Sequence, residues 1–129
     1  MSTRSAIKIL LAIVIAITLF HLAIITKIIP YEFAWGGRLQ SDADMYRFET
    51  NALLINLLFG VILLMKGGYI KPLFKQKIID RILWVYLILF ILNTIGNLLA
   101  QTNFEKGFAV LTGASVFLIW KILRSKSSV

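Results

Sequence analysis

The stretch ILWVYLILFILNTIGNLLAQTNF, residues 82–104, decides the fold of this chain. It runs for 23 residues without a charged side chain. An α-helix rises about 1.5 Å per residue, so about 20 residues cross a hydrocarbon layer about 30 Å thick. An uncharged apolar segment of this length is typical of a transmembrane helix. The membrane class is therefore the first hypothesis for the whole chain.

Three more uncharged segments support the membrane class, in a chain that is 59% hydrophobic with a mean hydropathy of +0.85. They cover residues 9–26, 50–65 and 107–120, and the two shorter ones extend into flanking residues, where lysine and arginine can reach the interface. The pattern predicts an all-α, antiparallel four-helix transmembrane bundle that forms a single membrane domain. Its expected spans lie at about 6–29, 42–65, 82–102 and 106–124.

The basic residues are distributed unevenly between the two sides of this predicted bundle. Ten of the 14 lie within residues 1–8, 66–81 and 121–129, and only Asp80 opposes them. By the positive-inside rule we expect this loop and both termini to be cytoplasmic and the 30–41 loop to face outward. The basic residues are distributed as the positive-inside rule expects of a membrane protein. We therefore expect anionic lipids at the basic face and no nucleic-acid partner.

The absence of certain residue types narrows the possible chemistry. Cysteine is absent, which excludes disulfides, thiolate catalysis and iron–sulfur ligation. A single histidine, His21, cannot build a classical zinc site. We therefore predict no metal and no cofactor.

The outer segment PYEFAWGGRLQSDADMYRFE, residues 30–49, holds four of the six carboxylates. Pro30 ends the first span, and Ser41 is a predicted N-cap whose helix start accounts for the two aspartates that follow. The functional candidates that remain in this segment are Glu32, Trp35, Arg38 and Glu49.

Polar residues within the spans concentrate toward the outer side. Helical spacing of four or seven residues places several of them on shared helix faces, whereas the inner half is almost wholly apolar. We predict an outward-facing polar pocket whose lid carries the four candidates above. Its walls are expected to come from His21, Asn56, Asn93, Asn97 and Thr112.

Three functions fit this pattern, and no motif selects a reaction. The first is a module that binds or carries a small amphipathic ligand or lipid. The second is a membrane enzyme acting on a lipid or isoprenoid, with His21 and Glu32 or Glu49 in proton transfer. The third is an accessory subunit whose polar residues serve helix contacts. The oligomeric state is not predicted.

Particular motifs also resemble those of a known group. They are Pro30-Tyr31-Glu32, Trp35-Gly36-Gly37-Arg38 and the sequence LNTIGN at residues 92–97. With them the chain resembles an uncharacterised family of small bacterial four-span membrane proteins with this outer loop. The resemblance implies the four-span fold and a location in a bacterial inner membrane, and it carries no activity or residue role.

Overall fold

The computed structural model describes residues 1–33, 38–100 and 102–125, except the side chain of Phe33. Within these ranges the chain forms four long helices, a 3-10 turn and no strand. The helices are α1 (Thr3–Ile25), α2 (Asp42–Lys66), α3 (Gln76–Leu98) and α4 (Asn103–Arg124), and the 3-10 turn is Tyr31–Phe33. The predicted all-α four-helix bundle is confirmed. Helix α3 begins before the span expected from residue 82, because the basic residues 77 and 81 continue the helix beyond the apolar segment.

The four helices form a ring in which each packs against its neighbours. Helix α3 packs most extensively against α4, and α1 packs against both α2 and α4. The contact between α2 and α3 is the least extensive of these four. The ring is therefore least extensively packed on the side between α2 and α3.

The starts of three helices follow from local sequence. The side-chain oxygens of Ser2, Ser41 and Thr102 each accept a hydrogen bond from the backbone amide three residues later, at 3.1–3.2 Å. These bonds satisfy amides that have no partner within the helix. The predicted cap at Ser41 is confirmed. At the other end of α2, Gly68 has a φ of 76°, a conformation that glycine adopts without strain.

Two apolar clusters hold the bundle together. The larger, the main core, contains residues of all four helices, including Leu10, Leu63, Leu83 and Ile119, which are fully buried. The smaller lies under the 30–41 loop, where Leu39 packs with residues at the end of α1 and the start of α2. The end of the bundle that carries this loop is called the loop end below.

Ion pairs fasten the segments between helices at both ends of the bundle. At the loop end Lys27 Nζ donates to Asp42 Oδ2 at 2.5 Å, and this hydrogen bond raises the pKa of the exposed lysine. At the opposite end Lys66, only 5% exposed, donates to Asp80 Oδ1 at 2.7 Å and so links the end of α2 to α3.

Each of the four helices is long and apolar enough to cross a membrane. Large apolar side chains also face outward from all of them, as at Leu19, Leu54, Val85 and Val110, which are 60–74% exposed. In water such a surface would be unfavourable, whereas hydrocarbon accommodates it. These features indicate a multi-pass membrane protein.

Candidate functional site

A cavity of about 540 Å³ lies in the half of the bundle nearer the loop end. All four helices and Arg38 of the 30–41 loop border it. Its polar and charged lining residues are His21, Arg38, Glu49, Asn51, Asn56, Tyr86, Asn93, Asn97, Glu105 and Thr112. Its apolar lining residues include Ile17, Phe20, Ile55, Phe59, Leu89, Phe90, Leu92 and Phe108.

The cavity changes character along its length. At the loop end it is bordered by Arg38, by His21 one turn from the end of α1, and by Asn97 in the last turn of α3. Deeper in the bundle the lining is mainly aliphatic and aromatic, and the ring centroids of Phe59 and Phe90 lie 5.3 Å apart. The cavity therefore has a polar end and an apolar end, as an amphipathic molecule does.

His21 and Glu49 form a side-chain contact across the cavity wall. The Nδ1 atom of His21 contacts Oε2 of Glu49, whose residue is fully buried, while the imidazole is 14% exposed. The other ring nitrogen, Nε2, makes no hydrogen bond to any described residue. A carboxylate that holds one imidazole nitrogen orients the ring and leaves the other nitrogen for a ligand or a proton. This pair is the main chemically reactive feature of the cavity.

Asn56 and Thr112 are among the polar lining residues whose side chains also join helices. The side-chain amide of Asn56 donates to Val14 O at 3.1 Å and to Thr18 Oγ1 at 2.9 Å, which connects α2 to α1. Thr112 accepts a hydrogen bond from Thr94 Oγ1 at 2.9 Å, which connects α4 to α3. These bonds are what a structural role requires, and they occupy the polar atoms that make them.

Three asparagines and one arginine in the lining, unlike Asn56 and Thr112, make no side-chain bond to a described residue. The side-chain amides of Asn51, Asn93 and Asn97 make no hydrogen bond within the described part of the chain, and the first two are exposed. Arg38 is exposed at the loop end of the cavity and forms no ion pair with a described residue. Their donors and acceptors remain available to a bound molecule.

Seven of the nine residues predicted for the pocket line the cavity. Those that line the cavity are His21, Arg38, Glu49, Asn56, Asn93, Asn97 and Thr112. Glu32 lies exposed on the 3-10 turn and is not among the lining residues, and Trp35 lies outside the described residues. Whether the gathered residues bind a ligand remains a prediction.

Sequence reasoning missed several lining residues, notably Glu105, Asn51 and Tyr86. Glu105 had a usable signal, because it lies seven residues before Thr112 and so shares its helix face. Tyr86 had none, since its hydroxyl donates to Ile55 O at 2.7 Å across a contact between two helices.

Comparison with other proteins gives no family name. No protein-family model, curated protein or solved structure matched the chain. Among the described residues, no group of three or more histidine, aspartate or glutamate side chains could hold a metal ion.

Proposed function

We propose that this chain is a multi-pass protein of a bacterial inner membrane that binds or carries a small amphipathic ligand or lipid. The observation that carries the proposal is the cavity with a polar loop end and an apolar deeper end. Its volume of about 540 Å³ falls among those of ligand pockets, about 300–1,000 Å³. The polar group of the ligand would contact His21, Glu49 and Asn97, and its apolar part would lie against the deeper lining.

The proposed orientation places the cavity toward the outside. Ten of the 14 basic residues belong to the termini or the 66–81 loop, which supports a cytoplasmic location for that side. The same face would attract anionic lipids. The loop end, with Arg38 over the cavity, then faces away from the cytoplasm.

We also propose membership of the bacterial four-span family with the Pro-Tyr-Glu and Trp-Gly-Gly-Arg outer loop. The support is the sequence of residues 30–38 and 92–97. This membership would add no activity of its own, so the functional proposal rests on the cavity.

Mass spectrometry of protein extracted with native membrane lipid tests the proposal. Ala52 is half-buried and lines the cavity, so Ala52→Phe would fill it, whereas Ala12 is exposed on α1 and makes Ala12→Phe a matched control. We expect an amphiphile to remain with the wild-type protein and with the control after delipidation. In Ala52→Phe its amount should fall about tenfold, the change that 1.4 kcal/mol of binding free energy produces. Equal retention in both variants would refute the proposal.

The contact between His21 and Glu49 favours one alternative, a membrane enzyme that transfers a proton on a lipid or isoprenoid. In that case Nε2 of His21 would accept the proton and Glu49 would hold the ring in place. Glu32, the other predicted acid, lies outside the cavity and gains no support. Unchanged conversion of a cavity ligand by His21→Ala and Glu49→Gln would remove this alternative.

A further inference from the structure

The cavity has an opening on the side of the bundle, between α2 and α3. Apart from Arg38 of the loop, the residues that both line the cavity and are exposed belong to these two helices: Asn51 and Ile55 on α2, and Leu92, Asn93 and Gly96 on α3. These helices also form the least extensive of the four contacts in the ring. Because both are candidate spans, the opening faces the region that hydrocarbon would occupy. We call these five residues the lateral mouth.

The opening ends part of the way along the bundle. Tyr86 Oη donates to Ile55 O at 2.7 Å, and the ring of Tyr86 contacts that of Phe59 with centroids 4.7 Å apart. Phe59 and Tyr86 both belong to the main core, which continues toward the opposite end of the bundle with Leu63 and Leu83. The mouth is therefore confined to the half nearer the loop end, which corresponds to one leaflet of a bilayer.

The edges of the mouth are polar, although they face sideways. Asn51 and Asn93 are exposed there, and their amides make no hydrogen bond within the described chain. An amide in hydrocarbon without a partner is costly, so such residues in spans commonly face a polar pathway or a binding partner. A headgroup that passes between the helices would satisfy the donors and acceptors of both side chains.

The ionisable residues that line the cavity limit the kind of headgroup that it can bind. The described lining contains the guanidinium of Arg38, the carboxyl groups of Glu49 and Glu105, and the imidazole of His21 in contact with Glu49. A headgroup with several negative charges would meet two carboxylates in a partly dehydrated cavity, at a high electrostatic cost. A neutral or zwitterionic headgroup with hydrogen-bonding groups fits this arrangement best.

We infer that the ligand is a membrane lipid with a neutral or zwitterionic headgroup, which enters from the outer leaflet through the lateral mouth. This inference rests on the proposed function and specifies its substrate class and route. The headgroup lies at the polar end near His21 and Asn97, while the acyl chains extend out between α2 and α3.

Gly96 allows the mouth to be obstructed without disturbing the helix. A Cβ atom built on Gly96 meets no atom within 4 Å, and the same holds for Gly107 of α4, which does not line the cavity. Gly96→Trp therefore places an indole ring in open space at the mouth, and Gly107→Trp is the matched control. Both changes replace a helix glycine with a better helix former, so both variants should fold.

The probe is phosphatidylcholine with a photoactivatable diazirine on one acyl chain, in vesicles of phosphatidylcholine and phosphatidylethanolamine. We expect wild-type labelling to concentrate on the lateral mouth, to fall about tenfold in Gly96→Trp and to persist in Gly107→Trp. Replacing the probe with a diazirine cardiolipin should give much weaker labelling. Labelling spread evenly over the outward faces of all four helices, and unchanged in Gly96→Trp, would overturn the inference.

Three further outcomes distinguish failure of this inference from failure of the proposed function. If an amphiphile is retained by the wild-type protein and lost in Ala52→Phe, but the mouth is never labelled, lateral entry is wrong and the proposed function stands. If an oxidised Asn93→Cys variant forms a disulfide dimer in membranes, a second copy of the chain covers the mouth, which also contradicts lateral entry. Loss of both signals in the wild-type protein would refute the proposed function itself.

Discussion

At the scale of single residues, the defining feature is a buried carboxylate beside the one histidine. Glu49 has no exposed surface, although it lies on a membrane-spanning helix whose exposed residues between 54 and 61 are all apolar. A carboxylate buried in such surroundings requires partners, and the imidazole of His21 is one of them. The same contact also fixes the orientation of the His21 ring.

This coupling predicts a non-additive effect on stability. His21→Leu should lower the free energy of unfolding by about 1–3 kcal/mol, because the buried carboxylate loses its imidazole partner. The double variant His21→Leu/Glu49→Leu should recover part of that loss, with a coupling energy of about 0.5–3 kcal/mol. Unfolding in mixed detergent micelles measures the two single variants, His21→Leu and Glu49→Leu, and the double variant.

Asn93→Leu is the control for this cycle, because its amide is exposed and makes no hydrogen bond to a described residue. It should change the free energy of unfolding by less than about 0.5 kcal/mol. Strictly additive effects of the changes at His21 and Glu49 would contradict a stabilising contact between them.

At the scale of helices, the α1–α2 and α2–α3 contacts are built differently. Helix α1 approaches α2 closely at Gly60, where an added Cβ would lie 3.3 Å from Val14 Cγ1, and Asn56 bonds across the same contact. Small residues and amide hydrogen bonds are common means of association between membrane helices. Helices α2 and α3 make the least extensive of the four contacts, Tyr86 bonds across it to Ile55 O, and residues of both helices on the loop-end side of Tyr86 line the cavity.

The two asparagines of α2 should therefore respond differently to the same substitution. Asn56→Leu should cost about 0.6–1.7 kcal/mol of unfolding free energy, since it removes the bonds to Val14 and Thr18. Asn51→Leu should cost nothing measurable, because it removes an exposed amide with no described partner. The measurement is unfolding in mixed micelles, and an equal loss in both variants would contradict these roles.

At the scale of the whole molecule, charge and polarity divide the chain along the bundle axis. The end opposite the loop carries most of the basic residues and much of the main core, whereas the loop end carries the cavity. This division supports one orientation in a membrane, with the termini and the 66–81 loop inside. The cavity would then open toward the outer leaflet.

Single-cysteine labelling tests this orientation directly, because the natural chain has no cysteine. Gln40 at the loop end and Gln76 at the opposite end are both exposed and uncharged, so they form a matched pair. In intact spheroplasts a membrane-impermeant maleimide should label Gln40→Cys and should label Gln76→Cys only after the membrane is opened. The reverse pattern would place the cavity toward the cytoplasm.

Much of the fold was predictable because it depends on local properties of the sequence. The length of the 82–104 segment and the three other apolar segments predicted four helices, and the cap at Ser41 set the start of α2. Helical periodicity placed Asn93 and Asn97 on one face of α3, and both line the cavity. Such patterns require only the helix geometry and the polarity of each side chain.

Only the tertiary structure decided which of these polar residues are paired and which remain available. His21 meets Glu49 across 28 residues of sequence, and Asn56 reaches Val14 across 42, so both contacts depend on how α1 and α2 are rotated about their axes. No local pattern fixes that rotation, because each helix has several apolar faces and the closest packing selects one arrangement. The same packing gives α2 and α3 the least extensive of the four contacts and leaves a cavity that both helices line. The sequence thus determined the helices and the polar half, and packing created the cavity and its lateral mouth.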